Sequence, residues 1–246
     1  MNILITGVTK GIGYFLAKEF LKRGDKVFGV GRTFESLKEI EKEYKNFIPL
    51  NYDVSNIENI DKIFKEIESE NENIDILINN AGIGFLGEFE KISWEDNKKI
   101  IDLNINSLVY LTHRYINDKK IKGGIINISS TGAFQVGGPY FSIYYASKSF
   151  VSSFTNGLSE ELREKKFRVM GVYPGPTKTN FVGMKESENF YIMDAKDVAI
   201  IIVKDYFKGK EVCIPGIFNK FLVCFGKIIP RSLELKILKK IQLKKL

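Results

Sequence analysis

The chain has 246 residues, enough for one large α/β domain, and its 44% hydrophobic and 27% charged residues are typical of a globular protein. One histidine, His113, excludes a multi-histidine metal centre and disfavours a Ser-His-Asp hydrolase, so no metal site is predicted. The net charge of +7 comes from residues 217–246, where eight Lys or Arg accompany one acid, Glu234, and the remainder carries no basic motif typical of nucleic-acid binding.

The N-terminus and the two cysteines indicate the compartment. Residues 2–6 form a strand-like run, with no charged region or cleavage site before it, which predicts a cytoplasmic protein without a signal peptide. Cys213 and Cys224 stand in apolar surroundings and are expected to be reduced packing residues. No apolar stretch approaches the roughly 18 residues of a membrane-spanning helix.

Short apolar runs alternate with helical patterns along most of the chain. Several runs are apolar at successive positions, as in parallel strands buried on both faces. The alternation predicts right-handed crossovers and a single α/β domain, a Rossmann-like doubly wound parallel sheet in three α/β/α layers. The predicted strands are 2–6, 26–31, 46–52, 74–79, 124–129 and 167–173, and the predicted helices are 11–23, 34–44, 57–69, 94–116, 143–165 and 195–206.

A glycine-rich turn with the spacing G-x-x-x-G-x-G follows the first strand. Gly7, Gly11 and Gly13 would let the backbone approach a pyrophosphate, and the helix N-terminus at Gly11 would face its negative charge. Its position directly after an N-terminal strand favours a dinucleotide site over a simple tight turn.

The end of the second strand distinguishes between the two nicotinamide cofactors. An NAD site usually carries an acid there for the adenosine ribose, but residues 29–33 contain none. Arg32 is placed to pair with a 2′-phosphate, and Lys10 lies in the glycine turn within reach of the same group. These two cations favour NADP(H), the alternative being that both are solvated surface charges.

Further polar segments follow the fourth, fifth and sixth strands. Ligands of an open parallel sheet bind beyond the carboxyl ends of its strands, so these segments are expected to converge. They are Asn79–Gly82, Ser129–Ser130 and Pro174–Thr179, with Asn104 and the pair Tyr144 and Lys148 on helices between them.

In this order the motifs resemble those of the short-chain dehydrogenase/reductase family, of the NADP-preferring type. The resemblance covers residues 1 to about 215. Its motifs are TGxxxGIG as Thr6–Gly13, Asp53-Val54, NNAG as Asn79–Gly82, Asn104, Ser130, YxASK as Tyr144–Lys148 and PGxxxT as Pro174–Thr179.

The resemblance implies a role for each position. Asp53 and Val54 would contact the adenine, Asn80 and Gly82 would wall the cofactor, and Thr179 would hold the nicotinamide carboxamide. The expected cofactor-binding residues are Gly7, Thr9, Lys10, Gly11, Ile12, Gly13, Arg32, Thr33, Asp53, Val54, Asn80, Ala81, Gly82, Tyr144, Lys148, Pro174, Gly175, Thr177 and Thr179.

The chemistry follows from four residue types. Tyr144 and Lys148 share a helix face, and the lysine charge, with that of an oxidised nicotinamide, is expected to lower a tyrosine pKa that is ordinarily near 10. During reduction Tyr144 donates a proton to the carbonyl oxygen, and Ser130 hydrogen-bonds the developing oxyanion. The resemblance adds a ribose contact for Lys148 and a relay water held by Asn104.

Some neighbours compete for these roles. Ser129 competes with Ser130, because alternation along a strand points one inward and the other away. Asn106 is a weaker rival of Asn104. Tyr140 and Tyr145 lack a lysine four residues later and are expected to line the pocket or pack.

Two segments are expected to shape the substrate pocket. Residues 134–141 lie between the catalytic serine and tyrosine, and Phe181–Met193, within a lid at about 176–193, resembles the mobile lid of the family. The aromatic residues and methionines of the lid suit a bulky apolar substrate, or equally a lid that packs only on its own protein.

Residues 216–246 read as a basic amphipathic extension of a catalytic domain at 1–215. A helix over 217–229, ended by Pro230, places eight apolar residues on one face: Ile217, Phe218, Phe221, Leu222, Cys224, Phe225, Ile228 and Ile229. Asn219, Lys220, Gly226 and Lys227 fall on the other face, with Val223 as the exception. Three interpretations stay open: packing over the substrate cavity or a subunit interface, contact with an anionic membrane, and a disordered end.

The predicted function is NADP(H)-dependent interconversion of a carbonyl and an alcohol on a small molecule, with a bulky apolar or lipid-like substrate favoured. The resemblance implies a homodimer or homotetramer paired through helices 94–116 and 143–165. Membrane contact through 217–246 would place the protein at the inner membrane face. The alternatives are a non-catalytic NADP(H)-binding redox regulator, which the complete catalytic set disfavours, and a peripheral membrane protein with a vestigial site.

Overall fold

The computed structural model describes residues 1–70, 72–118, 123–165, 167–179, 192–226 and 228–246. The strands are β1 (Asn2–Thr6), β2 (Lys26–Gly31), β3 (Phe47–Asn51), β4 (Ile76–Asn79), β5 (Gly124–Ile128), β6 (Arg168–Val172), β7 (Thr177–Lys178), β8 (Met193–Asp194) and β9 (Val212–Cys213). The helices are α1 (Gly11–Lys22), α2 (Phe34–Glu43), α3 (Ile57–Ser69), α4 (Trp94–Ile101), α5 (Ser107–Asn117), α6 (Ser142–Leu162), α7 (Ala195–Phe207), α8 (Ile217–Gly226) and α9 (Arg231–Leu243).

Seven of the strands form one all-parallel sheet in the order β3-β2-β1-β4-β5-β6-β9. The order reverses at β1, which is the mark of a doubly wound sheet. The remaining strands, β7 and β8, pair with each other beyond the end of β6. The loops after β1, β4, β5 and β6 therefore share the carboxyl edge of the sheet.

Helices cover both faces of the sheet. Successive residues of β1 point to opposite sides, so Ile3 and Ile5 pack with α1, α2 and α7, whereas Leu4 packs with α3, α5 and α6. All three β1 side chains are fully buried. The prediction of a Rossmann-like α/β fold in three layers is confirmed.

The structure refines two of the predicted elements. The helix expected over 94–116 is interrupted by a π-helical turn at Asp102–Asn106, between α4 and α5. β9, which was not predicted, is only two residues long and adds a seventh strand. A strand of two residues is too short to show an apolar period, so the sequence pattern does not predict it.

The C-terminal extension forms α8 and α9, which contradicts a disordered end, one of the three interpretations left open. α8 ends at Gly226, before the predicted boundary at residue 229. The side of α8 that packs on the protein carries Asn219 and Val223, the first assigned to the polar face and the second treated as an exception. Among the described residues, no helix is long and apolar enough to cross a membrane.

Candidate active site

The glycine turn after β1 has the geometry of a pyrophosphate cradle. Gly7 and Gly11 have φ of 74° and 61°, the left-handed region that disfavours a side chain. A Cβ at Gly13 would collide with the carbonyl oxygen of Gly7 and with Nδ2 of Asn80. The packing of the turn therefore requires glycines here, and no side chain at these three positions covers the N-terminus of α1, so the turn fits the diphosphate of a dinucleotide.

Hydrogen bonds tie the glycine turn to the loop after β4. The Thr6 hydroxyl accepts from the backbone N–H groups of Asn80 and Ala81 at 3.1 and 3.0 Å. The Asn80 amide donates to the carbonyls of Thr6 and Gly7 at 2.9 and 3.1 Å. Asn80 therefore holds the two loops together, and its predicted role of walling the cofactor is compatible with this position.

The loop after β6 lies over the same turn. A Cβ at Gly11 would sit 3.1 Å from Cγ2 of Thr179, so this predicted carboxamide contact is adjacent to the glycine turn. Thr177 donates from its hydroxyl to the carbonyl of Gly175 at 3.0 Å. Thr9, in the glycine turn, instead packs beside Gly31 at the end of β2.

The structure places Arg32 and Asp53 together at the ends of β2 and β3. Their charged groups are 3.6 Å apart, and both side chains are solvent-exposed. The Asp53 carboxylate accepts from the backbone N–H and hydroxyl of Ser55 at 2.9 and 2.7 Å, which fixes its orientation. Val54 is buried in the core, so only its backbone can face an adenine.

The other predicted cofactor-binding residues of this end lie at the N-termini of α1 and α2. Lys10 is an exposed residue at the N-cap of α1, and Thr33 is the exposed N-cap of α2. Ile12 is half-buried in the first turn of α1. These positions surround the turn but leave the cation of Lys10 at the surface, where a phosphate has access.

Asn104 lies in the π-helical turn and is almost completely buried. Its Oδ1 accepts from the N–H of Ile83, and its Nδ2 donates to the Ile83 carbonyl and the Ser147 hydroxyl, each at 2.9 Å. The side chain thus fastens the loop after β4 to α6. Asn106 instead donates to Asp102 at the surface, so the geometry favours Asn104 of the two rivals.

The two serines after β5 point to different partners. The Ser129 hydroxyl is buried and donates to the carbonyl of Lys148 at 2.7 Å. The Ser130 hydroxyl accepts from the Gly132 N–H at 3.1 Å and forms a side-chain hydrogen bond with Tyr144. Ser130 is therefore the serine that lies beside the candidate catalytic tyrosine.

Burial governs the charge state of Tyr144. Removal from water raises its pKa to about 12, against the smaller lowering effect of the Ser130 hydrogen bond. The Lys148 ammonium lies 5.8 Å from the centroid of the tyrosine ring. Burial thus favours the protonated phenol of Tyr144, and the lowering of its pKa by Lys148 together with an oxidised nicotinamide stays a prediction.

Lys148 is itself buried, with only 5% of its surface exposed. Burial lowers its pKa from 10.5 to about 8. Its ammonium donates to the carbonyl of Ile128 at 2.9 Å. A Cβ at Gly82 would lie 3.3 Å from this ammonium and 3.2 Å from Oδ1 of Asn104, so Gly82 leaves open the space between these two groups.

Comparison with known proteins decides the family. The family model described as short chain dehydrogenase matches residues 1–189, well over half of the chain. The chain belongs to the short-chain dehydrogenase family. The resemblance seen in the motifs is thereby confirmed, and with it the prediction that the protein is an oxidoreductase.

Individual members of the family are similar over most of the chain. A serine 3-dehydrogenase of Agrobacterium fabrum is 32% identical over 193 residues, 76% of each protein. The NADP-dependent 3-hydroxy acid dehydrogenase YdfG of Escherichia coli O6:H1 (strain CFT073) is 36% identical over 180 residues, 71% of this chain and 72% of that protein. A solved short-chain dehydrogenase from Sphingobium yanoikuyae in complex with NADPH has a TM-score of 0.78 at 26% identity, covering 92% of this chain and 93% of that one.

In this short-chain dehydrogenase the C-terminal helices contact the candidate site, as one of the three interpretations of the extension expected, through two polar residues that the sequence did not single out for this contact. Asn219 of α8 packs against Gly175, where a Cβ would collide with its amide, and donates to the Pro215 carbonyl at 2.7 Å. Gln242 of α9 donates to the Tyr145 hydroxyl at 3.0 Å across 97 positions of sequence. These two polar residues are distinguished from most others on their amphipathic helices by burial alone, which the structure shows and the sequence does not.

Tyr145 and Tyr140 bound the loop between Ser130 and Tyr144, as expected for packing residues. The Tyr145 ring occupies the space where a Cβ at Gly138 would lie and approaches Gly132. Tyr140 has φ of 64°, and its carbonyl accepts from the Gly87 N–H at 2.8 Å. A non-glycine residue in that region is uncommon and is held there by its surroundings.

The predicted lid falls almost wholly outside the described residues. Positions 180–191 are not described, and they include Phe181, Met184, Phe190 and Tyr191. The two described ends of the segment, Thr177–Lys178 and Met193–Asp194, pair as β7 and β8. This pairing brings the ends of the segment together beside Gly216 and Asn219.

Proposed function

We propose that this chain is an NADP(H)-dependent oxidoreductase that interconverts a carbonyl and an alcohol at Ser130, Tyr144, Lys148 and Asn104. The observation that carries the proposal is the hydrogen bond between Ser130 and Tyr144, with the buried Lys148 ammonium one helical turn away. These groups lie on the same edge of the sheet as the glycine turn. A proton donor and a nucleotide cradle are therefore neighbours.

Each of the four proposed site residues has its own role in carbonyl reduction. Bound NADPH would supply a hydride to the carbonyl carbon. Tyr144, a protonated phenol, donates its proton to the carbonyl oxygen, and the Ser130 hydroxyl stabilises the charge that develops there. Lys148 contributes a positive charge and binds the nicotinamide ribose, and Asn104 keeps the loop that carries Gly82 in place.

Two cations, Arg32 and Lys10, and the cofactors named for two relatives support a preference for NADP(H) over NAD(H). Arg32 is exposed at the end of β2, and Asp53 orients it from 3.6 Å. A 2′-phosphate would accept from the Arg32 guanidinium and the Lys10 ammonium. The relative YdfG is named as NADP-dependent, and the Sphingobium yanoikuyae structure contains NADPH, which supports the same cofactor for this chain.

Aromatic rings on Tyr144 and in the segment that precedes it support a bulky apolar or lipid-like substrate. Phe141 stacks on Tyr144 with centroids 4.4 Å apart, and Phe134 packs on Tyr173 at 4.5 Å. Serine and 3-hydroxy acids, which appear in the names of the relatives, are the second substrate class.

We assign catalysis to 1–215, with 216–246 as an extension.

The outer face of α6 supports a homodimer or homotetramer. Phe150 and Phe154 stack there with centroids 6.1 Å apart, and Phe150 is 40% exposed. Nothing lies within 4 Å of a Cβ built on Gly157, so another helix can approach closely. We propose pairing through this face and α5.

We place the protein in the cytoplasm, at the inner face of a membrane. Cys213 and Cys224 are free thiols, as is usual in a reducing compartment. Peripheral contact through 217–246 would account for the second part of this placement.

Substitution of Tyr144 tests the reaction. Tyr144→Phe removes the proton donor, so kcat for reduction of long-chain ketones should fall by roughly 10²–10⁴-fold, while the NADPH dissociation constant changes far less, because Tyr144 is only one of many expected cofactor contacts. NADPH oxidation measures the first quantity and titration calorimetry the second. The control is Tyr52→Phe, which removes an exposed phenol that is bonded to Glu66.

The outcomes separate the proposal from its rivals. Undiminished turnover in Tyr144→Phe would contradict the assigned mechanism. A wild-type protein that binds NADPH but turns over neither long-chain ketones nor the oxo acids related to serine and 3-hydroxy acids would be the redox regulator. Turnover of the oxo acids alone would select the second substrate class.

A further inference from the structure

The outward side of α8 and α9 carries a concentration of exposed apolar side chains. Among the described residues 21 large hydrophobic side chains are exposed, and eleven of them lie in the last 30 positions. We call these eleven the tail surface: Ile217, Phe218, Phe221, Leu222, Phe225, Ile228, Leu233, Ile237, Ile241, Leu243 and Leu246. Clustered exposed apolar residues mark an interaction site, whereas scattered single ones do not.

The tail surface points outward because other residues occupy the inward side of both helices. Asn219 and Val223 face the protein from α8, and Leu238 and Gln242 are buried on α9. Asn219 and Gln242 are each fixed by hydrogen bonds to the body of the protein. Rotation of α8 to bury its phenylalanines would expose Val223 and break the Asn219 hydrogen bond.

Charge accompanies the apolar residues. Four exposed lysines lie on the two helices and a fifth caps the end of α9: Lys220, Lys236, Lys239, Lys240 and Lys244. The one acid of the segment, Glu234, is 7% exposed, on the inward side. Apolar area surrounded by lysines, with no exposed acid among the described residues of the segment, is the combination that binds an anionic lipid surface.

We propose that the tail surface docks this protein on an anionic lipid membrane. Its phenylalanines and isoleucines enter the boundary between headgroups and acyl chains, and its lysines contact the lipid phosphates. Phe221 and Phe225 stack with centroids 5.7 Å apart at an interplanar angle of 11° and form a continuous aromatic patch within it.

Charge argues against a second copy of this chain as the occupant. Residues 217–246 carry a net charge of +7, and the other 216 residues are neutral overall. Two tail surfaces in contact would bring lysines of both copies within the screening length of about 8 Å at physiological salt. Mutual repulsion opposes that pairing, whereas an anionic bilayer neutralises the same lysines.

The docked end of the molecule is also the catalytic end. α8 packs on Gly175 in the loop after β6, and α9 packs on Tyr145, next to Tyr144. Both contacts lie at the carboxyl edge of the sheet. A membrane-borne carbonyl would therefore approach the catalytic end from the lipid side, a consequence that rests on the proposed function, whereas the docking itself does not.

Vesicle sedimentation with the full chain tests the docking without any substrate. The vesicles contain equal parts of phosphatidylglycerol and phosphatidylcholine, or phosphatidylcholine alone. We expect strong partition onto the first and weak partition onto the second. F221S combined with F225S should lower partition onto the anionic vesicles at least tenfold, and K236E combined with K240E should lower it by a similar factor.

Matched variants control for bulk hydrophobicity and bulk charge. F89S combined with W94S removes two exposed aromatic residues from the catalytic domain, and K62E combined with K65E makes the same charge change on α3. Both pairs should partition like wild type. All substituted side chains are exposed, and NADPH binding or circular dichroism verifies that each variant is folded.

Three outcomes would overturn the proposal. Wild-type protein that stays in solution with both vesicles has no lipid-binding surface. Equal losses in the tail and control variants would mean that partition is non-specific. Loss of a wild-type oligomer in F221S with F225S, measured by analytical ultracentrifugation without lipid, would identify the tail surface as an interface between copies.

Discussion

The glycine turn and the C-terminal extension relate sequence to packing in opposite ways. In the turn, Gly7, Gly11 and Gly13 are required by backbone angles and by the absence of space for a Cβ. In the extension, the apolar stripe left both packing on the protein and membrane contact open, and only the structure shows that Asn219 lies on the packed face while the phenylalanines lie outside. A motif that constrains its own backbone is readable locally, but the docking face of a helix is chosen by distant partners.

Replacement of Lys148 gives the largest expected change in the free energy of unfolding. It measures how much the burial of this lysine destabilises the folded protein. Between pH 8 and 10.5 the folded protein has released the Lys148 proton, whereas the unfolded chain still holds it. Stability therefore rises with pH in this window, by about 3 kcal/mol relative to Lys148→Met. Urea unfolding of both proteins across this range measures the difference.

Lys245 of the extension provides the comparison for that experiment. Burial also lowers its pKa, so wild type should gain stability relative to Lys245→Met in the same direction as pH rises. The exposed Lys22 is the control, and Lys22→Met should follow the wild-type profile. Parallel profiles for wild type and Lys148→Met would show that the Lys148 ammonium is solvated.

A pair of glycines sharpens the contrast between the two regions. Gly13→Ala forces a Cβ into the Gly7 carbonyl and the Asn80 amide, so the free energy of unfolding should fall by about 2–3 kcal/mol. In the extension, the nearest atom to a Cβ on Gly226 is 3.9 Å away. Gly226→Ala should therefore change stability by less than about 1 kcal/mol. Thermal or urea unfolding measures both, and equal effects would remove the contrast.

The fold and the family were predictable, and a candidate site could be assembled, because their signals are local or arranged in order along the chain. Continuous apolar runs gave the first six strands, and the spacing of Tyr144 and Lys148 gave their shared helix face. The structure also sets Ser130 apart from Ser129, by the partners of the two hydroxyls. Strand alternation predicts that the two differ but does not say which faces Tyr144.

The features that the sequence does not predict depend on contacts between distant parts of the chain. Asn219 looks like a polar surface residue until Gly175 and Pro215 are beside it. The pKa of Tyr144 is raised because the fold buries its hydroxyl, and four-residue spacing says nothing about burial. The assignments of individual cofactor contacts, such as Thr179, stay predictions for the same reason.

Arg32→Ala tests whether charge in the nucleotide region acts locally. NADPH affinity should fall by about tenfold, since a charge-assisted hydrogen bond to the 2′-phosphate contributes about 1.5 kcal/mol. NADH affinity should not change. Lys236→Ala removes the same charge from the extension and should leave both affinities as they are. Titration calorimetry gives all four values, and equal losses for NADPH and NADH would exclude a 2′-phosphate site at Arg32.

The Gln242–Tyr145 hydrogen bond gives the smallest effect and links the extension to the site. Gln242→Ala strands a largely buried Tyr145 hydroxyl, and Tyr145→Phe strands the Gln242 amide, so each should destabilise the protein by about 1 kcal/mol. The double variant should lose less than the sum, with a coupling of at least about 0.5 kcal/mol by urea unfolding. Lys239→Ala, on the exposed side of α9, should add independently to Tyr145→Phe. If Gln242→Ala raises KM while kcat is unchanged, α9 shapes the substrate cleft; strictly additive losses with an unaltered KM would reduce the contact to surface packing.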